Sequence, residues 1–117
     1  MSRTGAALLF AALAGCAAPG GLADRLGGPG ATFIADANGL AVDGSSLRID
    51  FGRAPSGVIA ALDRELGKGR VLGVAGCPAG IADQRDWGGL VLSFTTERFV
   101  GWRREVSSAG ETCAVTG

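Results

Sequence analysis

A chain of 117 residues with 11 basic and 11 acidic side chains suits one domain rather than two and has no net charge. It therefore offers no electrostatic footprint for nucleic acid and no basic patch for anionic lipid. It contains no His, which excludes Ser-His-Asp and Cys-His nucleophilic sites and the common His-based zinc sites.

The chain begins with a leader pattern. Arg3 supplies a short positive region, and Gly5 to Leu13 form an apolar run within the usual range of a signal peptide. The run is well short of the roughly 20 residues a transmembrane helix needs. Leu13-Ala14-Gly15-Cys16 follows and resembles the lipobox of bacterial lipoproteins. The resemblance implies cleavage before Cys16, a diacylglycerol on its thiol and, in many such proteins, acylation of the new amine. Two chains suffice for stable anchoring where a single myristoyl chain holds only marginally. Ala17, where such proteins often carry Asp for inner-membrane retention, points to the outer membrane, facing the periplasm. On this reading residues 1–15 are the signal peptide. Residues 16–30 are the lipidated Cys and a Gly/Pro-rich flexible tether with a reach of about 20 Å, and residues 31–117 are one domain.

Along that domain, Thr32 to Ala37 reads as a short strand, Asn38-Gly39 as a two-residue hairpin turn, and Leu40 to Val42 as its return. Asp43 to Ser46 is a second turn. Leu47 to Phe51 is a strand in which Leu47, Ile49 and Phe51 alternate with Arg48 and Asp50. Pro55 to Leu66 is the one predicted helix, with Pro55 in the first turn and Gly67 as its stop. Val58, Ile59, Leu62 and Leu66 form its apolar face, and Asp63, Arg64 and Glu65 its polar one. Val71 to Ala75 reads as a short strand and Pro78 to Asp86 as a loop. Leu90 to Phe94 and Phe99 to Val106 form a hairpin about a turn at Thr96-Glu97-Arg98. Residues 107–117 are small and polar. The expected fold is α+β: a small antiparallel sheet with one helix packed across a face.

With Cys16 lipidated, Cys77 and Cys113 remain, and an even pair beyond the inner membrane is expected to form a disulfide. No Cys-x-x-Cys is present, so a thioredoxin-like role has no support. Gly67-Lys68-Gly69-Arg70-Val71-Leu72 lacks the third glycine of a dinucleotide loop and follows a helix, which makes it a helix stop. Asp36-Ala37-Asn38-Gly39 begins like a calcium loop, but Leu40 and Ala41 break the pattern. Asp83 and Asp86 flank Arg85 as a solvated ion pair. Trp87, Phe94, Phe99 and Trp102 cluster in the last hairpin, and Phe99 and Trp102 differ in parity. Either the sheet is covered on both sides or one aromatic is exposed. An exposed Trp102 followed by Arg103 and Arg104 would make a partner-binding patch.

The runs Leu47-Arg48-Ile49-Asp50-Phe51-Gly52-Arg53-Ala54, Leu66-Gly67, Trp87-Gly88-Gly89-Leu90 and Phe99-Val100-Gly101-Trp102, with Cys77 between them, resemble a pattern in small uncharacterised lipoproteins of high-GC Gram-negative bacteria. That resemblance spans roughly residues 31–105 and transfers no catalytic residue. The helix-then-hairpin order is also similar, more remotely, to small periplasmic protein-binding modules. The expectation is a non-enzymatic envelope lipoprotein, without cofactor or metal, held to the membrane by its N-terminal lipid and binding another envelope protein or serving a structural role. The alternative is a periplasmic binder of a small acidic ligand or cell-wall fragment, using Arg85, Arg103 or Arg104.

Overall fold

The computed structural model describes residues 30–114. Among them the chain forms β1 (Phe33–Asp36), β2 (Gly39–Val42), β3 (Arg48–Asp50), helix α1 (Pro55–Leu66), β4 (Arg70–Leu72), β5 (Asp83–Trp87), β6 (Leu90–Phe94), β7 (Phe99–Arg104) and β8 (Ser107–Gly110). The class is α+β, with antiparallel sheets and one helix. The strands divide into a three-stranded sheet, β1-β2-β3, and a five-stranded sheet, β4-β5-β6-β7-β8. The single sheet expected from the sequence is thus two, and within each sheet neighbouring strands are consecutive in sequence.

The first hairpin turns one residue earlier than the Asn-Gly pair suggested. Asp36 pairs with Gly39, so Ala37 and Asn38 make the turn, and the Asn38 amide donates to Asp36 Oδ1 at 2.9 Å. Gly39 is the first residue of β2 with φ +138°, and a Cβ there would lie 2.5 Å from the Ile49 carbonyl oxygen. Close approach of β3 fixes this glycine as much as its backbone angle does.

Helix α1 begins at Pro55, whose missing amide costs nothing in a first turn, and it ends at Gly67, φ +89°. It buries Val58, Leu62 and Glu65, the spacing of one helical face. Leu66, assigned to that face from the sequence, is 41% exposed, and Glu65 takes the inward place.

In the second sheet, β5 occupies much of what the sequence suggested was a loop, and β8 gives the polar C-terminal stretch a strand. The parity conflict between Phe99 and Trp102 disappears through a bulge. Leu92 pairs with Trp102 and Ser93 with Gly101, but Phe94 pairs with Phe99, which leaves Val100 as an extra residue. An extra residue reverses the side-chain alternation, so Phe99 and Trp102 share the face of Leu92 and Phe94. With Trp87, Leu90, Phe33, Leu40, Val58 and Leu62 they form the core. The two sheets meet at Phe51–Arg53: Gly52 N donates to Phe99 O at 2.8 Å and Phe99 N to Arg53 O at 2.9 Å. The Phe51 and Phe99 rings meet edge to face, centroids 5.0 Å apart.

The other face of the five-stranded sheet is also covered. Gln84, Ser93 and Gly101 lie in register on it, and Gln84 and Ser93 are buried. The Gln84 amide donates to Gly73 O at 2.9 Å, and Glu111 N donates to Val100 O at 2.9 Å. A disulfide joins Cys77 to Cys113, stapling these two crossing segments together.

Candidate functional site

A concavity lies between α1 and the first sheet. A hollow of about 200 Å³ is lined by Ala31, Phe33, Val42, Leu47, Arg48, Ile49, Arg53, Ala61, Arg64 and Glu65. A second hollow of about 170 Å³ continues it along the helix beside Gly57 and Val58, and the two share Ile49, Arg53 and Ala61. The gap has a local cause. Ala54, Gly57 and Ala61 recur at helical spacing and present almost no side-chain volume, so the helix cannot fill the space facing Ile49.

The charged groups on this rim differ in how far they are committed. Arg48 gives Nη1 and Nη2 to the two carboxylate oxygens of Asp36, at 3.0 and 2.8 Å, and Nε to Asp50 Oδ1 at 2.7 Å. The hydrogen bonds that Arg48 donates hold the accepting Asp36 carboxyl below its ordinary range, and the same bonds, to Asp36 and Asp50, raise the Arg48 guanidinium. Glu65 is buried, yet Oε1 accepts from Ala31 N at 3.2 Å and Oε2 from Arg64 Nε at 3.2 Å. Its backbone carbonyl accepts from Gly30 N at 2.9 Å. Among the described residues the Arg53 guanidinium forms no hydrogen bond or ion pair, although its backbone is fixed on both sides by Asp50 O and Phe99 N.

The residues singled out from the sequence are not brought together. Trp102 is 6% exposed, and its indole donates to the Asp36 carbonyl at 2.7 Å, tying β7 to the end of β1. Of the two alternatives left open by the sequence, the sheet is the one covered on both sides, and the bulge turns Trp102 inward. Arg103 is half-buried with Nε unpaired, and Arg104 is exposed near the tip of the β7–β8 hairpin. Arg85 pairs with Leu92, which in turn pairs with Trp102, whereas Arg103 pairs with Val91, so Arg85 and Arg103 lie on opposite faces of the sheet. Arg85 is instead ion-paired with Asp83 at 3.1 Å, both half-buried, and Asp86 pairs with Arg70 at 2.8 Å. Cys77 and Cys113 form the expected disulfide. Leu13, Ala14, Gly15 and Cys16 lie outside the described residues.

Asp63 also departs from its expected solvated face. Its Oδ1 accepts from Gly69 N at 2.8 Å and from the Trp87 indole at 2.9 Å. These bonds, the Gly69 amide first, hold its carboxyl below the usual carboxylate value. Arg53 is a site residue that the sequence reading did not single out, since it belongs to no recognisable motif. The sequence signal that points to it is the small-residue series 54, 57, 61 immediately after it. No described helix is long and apolar enough to cross a membrane. Among the described residues no three His, Cys, Asp or Glu gather as a metal site would require.

The chain matches no known family model, and no curated protein or solved structure proved similar to it.

Proposed function

We propose that this chain is a lipid-anchored lipoprotein of the bacterial cell envelope, non-enzymatic, facing the periplasm from the outer membrane, and that its domain acts by binding. The observation that carries the reading is the distribution of the three cysteines. One stands at the end of Leu13-Ala14-Gly15-Cys16, and the other two are joined to each other. A paired disulfide suits an exported domain, and a lipobox cysteine is chemically reserved for acylation. Labelling cells with an alkyne fatty acid tests it. The chain is expected to take up the label and fractionate with outer membranes, and Cys16→Ser to abolish both. Label that persists in Cys16→Ser, or an unlabelled wild-type chain, overturns the anchor.

The domain's partner is proposed to be another envelope protein, or the role is structural. A second reading, a small acidic ligand, is favoured by one observation: three Arg and one Glu line the cleft, and the Glu carboxylate is already occupied by Ala31 and Arg64. Crosslinking in native membranes separates them. A specific protein adduct supports the first, and its absence together with a ligand retained on purification supports the second.

A further inference from the structure

We infer that the cleft between α1 and the first sheet binds a small amphipathic monocarboxylate whose carboxylate is held by Arg53. This deepens, and rests on, the reading of the domain as a binder of a small acidic ligand. Of the three guanidinium groups on the rim, Arg48 has three of its nitrogens committed to Asp36 and Asp50, and Arg64 has given Nε to Glu65. Arg53 alone of these keeps its whole fork open among the described residues. A guanidinium fork matches one carboxylate through two parallel hydrogen bonds.

The position of Arg53 strengthens the assignment. It lines both hollows, and its backbone sits at the junction of the two sheets, bonded to Asp50 O and by Phe99 N. The root of the side chain is therefore held in place before any ligand arrives, which lowers the ordering cost of binding. The rest of the lining combines apolar side chains, Phe33, Val42, Ile49 and Ala61, with Arg48, Arg64 and Glu65, whose charged groups already pair within the protein. The larger hollow, about 200 Å³, equals roughly seven waters' share of liquid volume, and both hollows together reach the lower end of ligand-pocket sizes, about 300 Å³. That space suits an apolar body of on the order of six to ten carbons. A bare phosphate would need more donors than one open fork and would leave the apolar walls unused.

The test is a two-dimensional amide NMR titration of the purified full-length chain with octanoate, with octanol and inorganic phosphate as comparison probes. Octanoate is expected to produce saturable shifts centred on Ile49, Arg53 and Ala61. Octanol is expected to bind at least about tenfold more weakly, the effect of losing one charged contact, and phosphate to give no saturable shift. Arg53→Gln removes the fork, and Ala61→Leu fills the space. Each is expected to weaken octanoate by about tenfold or more. Arg53→Gln, at an exposed side chain, is expected to keep the melting temperature and so separates loss of the site from loss of the fold. Undiminished octanoate binding in Arg53→Gln overturns this site while leaving the acidic-ligand reading intact. Phosphate binding as tightly as octanoate overturns the ligand class. No saturable binding of either anion overturns the site and the acidic-ligand reading together, without touching the lipid anchor.

Discussion

The Asp63 carboxylate accepts from the Gly69 amide and the Trp87 indole through one oxygen, so a single helix residue fixes both the segment leaving α1 and the end of β5. Hydrogen bonds to an ionised acceptor contribute about 1.5–3 kcal/mol each, and Asp63→Ala is expected to cost about 2 kcal/mol at neutral pH, measured by denaturant unfolding. The pH dependence has a definite sign. The folded-state pKa is lowered from 3.8, so the stabilisation is complete above the unfolded value and is lost as pH falls through the folded one. The gap between wild type and Asp63→Ala should therefore narrow below about pH 4. A gap that stays constant into acid would remove the charge from the explanation. Glu105 presents the opposite case. It is the one non-glycine at positive φ among the described residues, +54°, and its side chain is exposed at the β7–β8 turn. The left-handed region costs an L-residue about 1–2 kcal/mol, partly offset when glycine enters by the greater freedom of the unfolded chain. Glu105→Gly is expected to raise stability by about 0.5 kcal/mol, seen as a higher denaturation midpoint at unchanged slope.

At the scale of elements, legibility followed local periodicity. Helix α1 was readable because Pro55, the spacing of Val58 and Leu62, and Gly67 all agree on one span. The β6–β7 hairpin was readable because Leu90, Leu92 and Phe94 alternate. β5 was not, because Asp83-Gln84-Arg85-Asp86 carries no apolar residue and Asp is poor in strands. Its strand is made by pairing with β6 and by cross-strand charges such as Arg70–Asp86. β8, Ser107-Ser108-Ala109-Gly110, has no pattern of its own and exists through β7. Glu65 could not be read as buried, since its partners Gly30 and Ala31 lie more than 30 residues away and neither signals its role. The cleft was hidden for the same reason: Phe33, Ile49 and Ala61 come from three elements, and Arg53 from the connection between two of them. What was legible, unrecognised, was the small-residue face of α1. Gly57 lies within that face, and a Cβ there would meet nothing within 4 Å. Gly57→Ala is therefore expected to stabilise the domain by about 0.5–1 kcal/mol through helix propensity alone, raising the thermal midpoint by a few degrees. A loss of stability instead would mean that α1 approaches β3 more closely than the open gap indicates.

For the whole molecule, the five-stranded sheet has its aromatic face against α1 and the first sheet, and its other face beneath segments made mainly of small residues such as Gly and Ala. Glycine lets this happen at Gly101, where any Cβ would run into the Glu111 backbone. The covering segments hold few large buried residues, Ile81 and Cys113 among them, so burial alone contributes little to keeping them down. The Cys77–Cys113 bond, spanning 36 residues, supplies the rest. Closing a loop of that length lowers the entropy of the unfolded chain by roughly 4 kcal/mol at 25 °C in the chain-entropy treatment. For a domain of this size that corresponds to on the order of 15–25 °C in melting temperature. Reduction should therefore lower the midpoint by about that amount, and the Cys77→Ala/Cys113→Ala double variant should match the reduced protein to within the small cavity left at Cys113. The loss should also be uneven in space. Under reducing native conditions, amide exchange at Ser93 and Gly101, beneath the stapled segments, should accelerate before exchange at Val58 and Leu62 in the helix, which pack on the aromatic face. Equal acceleration on both faces would mean that the disulfide acts through the unfolded chain only, with no part in holding the second face closed.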